Sequence, residues 1–258
     1  MKFVIAVDLE GVAGVVGFPG KGLTLENCPD EYRAACREAV RAVNAAARAL
    51  FDGGASHVVI WDNHASGVNL PVEDLDARTE IMRGAFAERW EGIEEFDGAL
   101  LIGYHAMAGT PRGILNHSFS SAVIQSIRVN GSEVGEISVD AHFAGVKGIP
   151  VIFVESDRAG VTEANRFLPW ARTVVTKEGY GRNAARLYHP LKIERETYDM
   201  VLDAVKHIGD MGLYWFESPM EVEIRYMRME DAHRNRGEHG ELTDEYTVRR
   251  YMDELRLF

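Results

Sequence analysis

Cysteine is nearly absent: the 258 residues include only Cys28 and Cys36. Two cysteines cannot build a disulfide framework, and their spacing is not the C-x-x-C of a redox pair or zinc ribbon. Reduced thiols are expected. Basic runs are also missing. Lys plus Arg total 28 against 40 Asp plus Glu, a formal net charge of −12. Nucleic acids and anionic membranes select for clustered cations, so neither is an expected partner. No apolar stretch approaches the ~20 residues of a membrane helix. The run Phe3 to Val7 is short and stops at Asp8, unlike a signal-peptide core. The expected compartment is the cytoplasm. No G-x-S-x-G elbow is present, which removes support for a serine hydrolase. The loop Gly17-Phe18-Pro19-Gly20-Lys21-Gly22 lacks the G-K-[ST] ending of a phosphate cradle and is interrupted by Pro19. There is no internal repeat and no low-complexity segment.

What is present is an ordinary globular composition, 46% hydrophobic and 26% charged, long enough to bury a full core. Lys2 to Val7 reads as a buried strand, Glu31 to Phe51 as an amphipathic helix ended by Gly53-Gly54, and Ser56 to Trp61 as a second buried strand. The alternation continues. Strands are expected at Thr79–Met82, Gly98–Gly103, Ala122–Val129, Pro150–Val154 and Arg172–Thr176. Helices are expected over Val134–Val146, Gly160–Phe167 and Glu194–Ile208, and Asn130-Gly131 is a hairpin signal. After Met211 the pattern changes. Glu221–Met227 alternates like a strand, Ala232–Leu242 is polar and weakly ordered, and Glu245–Leu255 is helical or extended. The expected fold is α/β, a mostly parallel central sheet flanked by helices. Residues 1–211 form the core and 212–258 a smaller α+β extension.

In such sheets ligands sit beyond the carboxyl ends of the strands. The first strand ends in Asp8-Leu9-Glu10-Gly11, the second in Asp62-Asn63-His64 and the third in Gly103-Tyr104-His105. Asp8 and Glu10, two apart on an extended segment, point to one side and can share a cation. His64 and His105 add nitrogen donors. His117, in Asn116-His117-Ser118, and Glu136, in Val134-Gly135-Glu136, join by position. Carboxylate mixed with imidazole suits Zn²⁺, Mn²⁺ or Co²⁺ better than Ca²⁺ or Mg²⁺. Taken alone, Asp8 could simply cap a turn, and a strand-end histidine is more often a satisfied polar group than a ligand. The joint occurrence at three strand ends is what points to a metal centre. His57, His233 and His239 read as structural or solvated, and Trp61 and Trp90 as core or interface.

The opening Val7-Asp8-Leu9-Glu10-Gly11-Val12-Ala13-Gly14 resembles the start of the zinc-dependent D-aminopeptidases of peptidase family M55, the DppA-like proteins. Asp62-Asn63-His64-Ala65-Ser66, Gly103-Tyr104-His105-Ala106, Asn116-His117-Ser118 and Val134-Gly135-Glu136 resemble further family segments, in the same order, from Met1 to about Arg182. Asp62-Asn63 swaps two neighbours of the family pattern. Glu155-Ser156-Asp157 stands where the family often has G-D-D, so only Asp157 carries over. The resemblance implies two divalent ions per subunit, most often Zn²⁺, with Asp8 bridging and Glu10, His64, His105 and Glu136 completing the ligand sets. His117 would be the catalytic residue outside the metal shell. Lys177 and Arg182, with Asp157, would meet the substrate. The implied substrate is a small peptide or amide with a D-Ala-like amino end, and the implied assembly a ring-like homo-oligomer with inward-facing sites. Two other readings fit the residues: a different two-metal hydrolase, amidase or phosphoesterase, and a structural-metal oligomer. The last predicts closed coordination and unfolding on metal removal.

Overall fold

The computed structural model describes residues 1–257. Its first half alternates strand and helix: β1 (Lys2–Val7), α1 (Pro29–Asp52), β2 (His57–Asp62), β3 (Glu80–Met82), β4 (Gly98–Ile102), β5 (Ile124–Val129), β6 (Ser132–Val134) and α2 (Glu136–Val146). Then come β7 (Val151–Ser156), α3 (Arg158–Phe167), β8 (Arg172–Val175), β9 (Lys177–Gly181), β10 (Ala184–Leu187) and α4 (Pro190–Lys206). The chain closes with β11 (Met220–Tyr226), α5 (Met229–Asn235), β12 (Glu241–Asp244) and β13 (Thr247–Met252).

Six strands form a parallel sheet in the order β3-β2-β1-β4-β7-β8. The fold is the α/β architecture expected of continuous apolar strands. In β1 and β4 both faces are covered, so successive residues serve opposite cores. Phe3, Ile5 and Val7 point to the layer of α1 and α4, where Val43, Leu50, Val201 and Val205 meet them. Val4 and Ala6 point to α2 and α3, against Ile137, Ala141 and Ala164. α1 begins with Pro29 and the acidic Asp30 and Glu31, a start that suits the positive helix terminus.

A second, antiparallel sheet has the order β12-β13-β11-β5-β6. β5 and β6 form a hairpin across Asn130-Gly131, both at positive φ, as the dipeptide signalled. The helix expected from Val134 begins only at Glu136, because Ser132–Val134 is spent pairing with β5. The segment read as weakly ordered holds α5 and β12, and the undecided Glu245–Leu255 stretch holds β13, paired along its length with β11. The strands after Met211 therefore share one sheet with β5 and β6. The hairpin β9–β10 was not visible in the sequence, since its alternation is weak and it begins with a lysine.

α2 lies between the two sheets. Ile137, Ala141 and Ala144 pack on the parallel sheet, while Val139 packs on the antiparallel one with Ile127, Val222 and Ile224. That is why Glu136 through His142 are all buried and no polar face is left.

The carboxyl ends of β1 and β4 touch backbone to backbone. The Gly11 N–H donates to the Gly103 carbonyl at 2.7 Å, and Asp8 N–H to Ile102 O at 2.8 Å. A Cβ on Gly103 would lie 2.1 Å from the Asp8 carbonyl oxygen, and φ there is +75°. Gly103→Ala is expected to cost about 1–3 kcal/mol through strain and the forced separation of the two ends, read as a shift of the urea midpoint.

Candidate metal centre

β2, β1 and β4 are immediate neighbours in the sheet and parallel, so their carboxyl ends open on one edge. Val7 pairs with Asp62 on one side and Ile102 on the other. The residues that follow each strand are thereby brought together. Asp8, Glu10 and His64 form one trio, and His105, His117 and Glu136 another, with donor atoms within 4.8 Å in each. Glu136 arrives at the first turn of α2, and His117 on the loop before β5.

Asp8 joins the trios. One carboxylate oxygen lies 2.7 Å from His64 Nδ1, the other 3.5 Å from His105 Nε2. His64 Nδ1 is also 3.2 Å from Glu10 Oε2, and His105 Nε2 is 3.3 Å from Glu136 Oε1. His117 stacks on His105, ring centroids 4.0 Å apart, with Nε2 3.9 Å from Glu136.

Each histidine is tied by its other nitrogen to a backbone carbonyl. His64 Nε2 meets Leu23 O at 2.8 Å, His105 Nδ1 meets Ala106 O at 3.0 Å, and His117 Nδ1 meets Leu115 O at 2.8 Å. A carbonyl only accepts, so these nitrogens carry the protons. In the neutral rings, His64 Nδ1 and His105 Nε2 then present lone pairs to carboxylates. Lone pair against lone pair is repulsive unless a proton or a cation lies between. Glu10 Oε2 and His105 Nε2 are buried and make no hydrogen bond among the described residues. Carboxylates facing imidazoles oriented by carbonyls, with orphaned donor atoms, are a set that fits a divalent metal.

The protonated alternative leaves its mark on the titration of these groups. Burial opposes charge on His105, but Glu136, with Asp8 and Glu10 beyond it, pushes its pKa up to about 10. Burial likewise lowers His64, yet Glu10 and Asp8 raise it well above the ordinary value. Burial would raise the two carboxyls. Instead His105 and then His117 bring Glu136 down to about 2, and His64 holds Glu10 well below its usual range.

Supporting contacts reach the neighbours of the candidate ligands. Asn63 and Tyr104, one residue before His64 and His105, both donate to Asp140, at 3.3 and 2.5 Å, and Arg89 meets the same carboxylate through two nitrogens at 2.7 Å. Phe119 N–H donates to Glu136 Oε1 at 2.8 Å. Asp140, Arg89 and the carbonyls of Leu23 and Leu115 were invisible in the sequence, because none belongs to a motif of its own.

The cluster opens on a cavity of about 220 Å³, lined also by Lys21, Leu23, Leu115, Phe119 and Arg182. Arg182 lines this cavity; Lys177 and Asp157, expected with it at the substrate, are not among the lining residues. Lys177 is fully buried, with Nζ donating to the carbonyls of Glu10 and Val12. Burial pushes its pKa down to about 8, against the pull of Asp157, Glu10 and Glu155. Asp157 caps α3, accepting from Gly160 N–H, and also accepts from Ile114 N–H.

In the metal-free protein His105 contributes stability fully below its ordinary pKa of 6.5 and loses it as pH rises toward about 10. Glu136 contributes fully above 4.5 and loses it as pH falls toward about 2. Chelated protein should therefore melt highest between pH 4.5 and 6.5 as far as this pair decides. Zinc requires unprotonated imidazoles, so the gain in melting temperature on adding zinc should grow with pH across that window. A gain that shrinks would contradict the shared use of these atoms by protons and metal.

A profile of the peptidase M55 family, described as D-aminopeptidase, matches residues 1–256. The chain is 29% identical over 198 residues to a D-aminopeptidase of Bacillus subtilis strain 168, covering 76% of this chain and 70% of that one. Its fold superposes with a TM-score of 0.91, at 25% identity, on a solved structure described as the zinc-dependent D-aminopeptidase DppA from Bacillus subtilis, a self-compartmentalizing protease. The superposition covers 98% of this chain and 92% of that one.

Proposed function

From the premise that the chain belongs to the peptidase M55 family of D-aminopeptidases, we propose that it removes an N-terminal D-amino acid of D-alanine size from short peptides or amides with two zinc ions. The observation that carries the two-ion reading is Asp8, whose two oxygens face histidines of different trios. Asp8, Glu10 and His64 would hold one ion, and Asp8, His105 and Glu136 the other. Divalent zinc bound there supplies a Lewis acid for the scissile carbonyl and makes water acidic enough to attack near neutral pH.

The chain's own groups do the rest. The Leu115 carbonyl holds the His117 Nδ1 proton, which turns Nε2 toward the cluster. Nε2, which carries the lone pair in that tautomer, takes a proton from the attacking water and passes it to the departing amine. The stack on His105 keeps the ring in that plane. The cavity of about 220 Å³ admits a short peptide, and Lys21 and Arg182 at its wall offer positive charge to the substrate's carboxyl end. Leu23, Leu115 and Phe119 supply the apolar surface for a small side chain. The open cavity favours catalysis over a purely structural metal, whose coordination would be closed. A ring-like homo-oligomer with inward-facing sites is the matching assembly, in line with the self-compartmentalizing description of the relative.

Matched D-Ala and L-Ala dipeptides and amides, assayed for amine release before chelation, after it and after zinc return, test the reading. Cleavage confined to the D series, lost and regained with the metal, is expected. Cleavage of neither series by folded, zinc-loaded protein would overturn it. His117→Ala should lower turnover by ~10²–10⁴-fold while zinc content holds. Loss of zinc from this variant would make His117 a ligand instead.

A further inference from the structure

The loop that leaves β1 carries Asp8 and Glu10, yet its main chain belongs to no helix or strand. Three successive carbonyls, those of Glu10, Gly11 and Val12, need partners inside the protein. All three are met by two adjacent residues more than 160 positions away. Lys177 Nζ donates to Glu10 O at 2.6 Å and Val12 O at 2.8 Å, and Thr176 Oγ1 donates to Gly11 O at 2.6 Å. Both side chains are fully buried. Asp157, Glu10 and Glu155 pull on the ammonium, but its hydrogen bonds go to these carbonyls. A buried lysine is an expensive way to satisfy carbonyls. Glu10 explains the arrangement: its Oε2 makes no hydrogen bond, so its direction depends on the backbone beneath it.

We propose that Thr176 and Lys177 are positioning residues of the metal centre, a clamp on the backbone of residues 10–12 that aims the Glu10 carboxylate at His64. This rests on Glu10 being a ligand, as argued above. Electrostatics alone makes the opposite forecast. Removing a positive charge beside a cation site should tighten binding. A positioning role predicts that removal weakens it.

Cobalt binding to the chelated full-length protein separates the two. Affinity would be read by competition with a chromophoric chelator, ligand geometry by the visible absorption of bound Co²⁺, and folding by circular dichroism. Lys177→Met and Thr176→Val are expected to weaken binding by ~10–100-fold and to alter the spectrum, with the fold retained. Thr176→Ser, which keeps the hydroxyl, should restore both. Tighter or unchanged binding in Lys177→Met, with an unchanged spectrum in Thr176→Val, would overturn the proposal. Should Lys177→Met fail to fold, the Thr176→Val and Thr176→Ser pair decides alone. Glu10→Gln tests the premise separately. If it binds Co²⁺ as the wild type does, Glu10 is no ligand. If it weakens binding while the Thr176 and Lys177 variants do not, only the clamp fails.

Discussion

The backbone contact between Gly11 and Gly103 is the constraint on which the rest of the site depends. It sets the β1 and β4 ends at a spacing that no side chain could share, since a Cβ on Gly11 would lie 1.9 Å from the Tyr104 carbonyl oxygen. At that spacing Asp8 can face His105 across the strand boundary while still meeting His64 on the other side. A methyl group at either glycine would part the ends by more than the slack in these distances. The six-stranded sheet is the rigid base that transmits this geometry to three loops.

Around that contact the electrostatics are unbalanced by design of the donor set. Three buried carboxylates, Asp8, Glu10 and Glu136, face three imidazoles whose protons are already committed to backbone carbonyls. Without positive charge between them the lone pairs oppose one another. Protons fill the gap in the metal-free protein, which is why His105 rises to about 10 and Glu136 falls to about 2. Zinc, the metal named for the structural relative, replaces those protons in the reading favoured here.

The two sheets meet through α2, and this sets where Glu136 stands. The helix is buried against both cores, so its first turn is fixed from two sides. The antiparallel sheet that supplies one side is assembled from β5, β6 and the strands after Met211. The carboxyl-terminal strands thus support a ligand candidate from which they are far in sequence.

Much of this was written locally. Continuous apolar runs determined the buried parallel strands, and the polar residues directly after them, Asp8, Glu10, His64 and His105, were legible because a strand end is adjacent in sequence to its strand. The Asn130-Gly131 turn was legible for the same reason. His117 and Glu136 joined them by position, and the family resemblance then gave each a role. What only the tertiary structure decided was partnership across long separations: that β2, β1 and β4 are neighbours, that β13 pairs with β11, that α5 and β12 order a polar stretch. It also decided the direction of Lys177 and Asp157. The family resemblance gave both a place at the substrate. The need to satisfy loop carbonyls and amides in a dry interior turned both inward, a demand that arises only once the chain has closed around them.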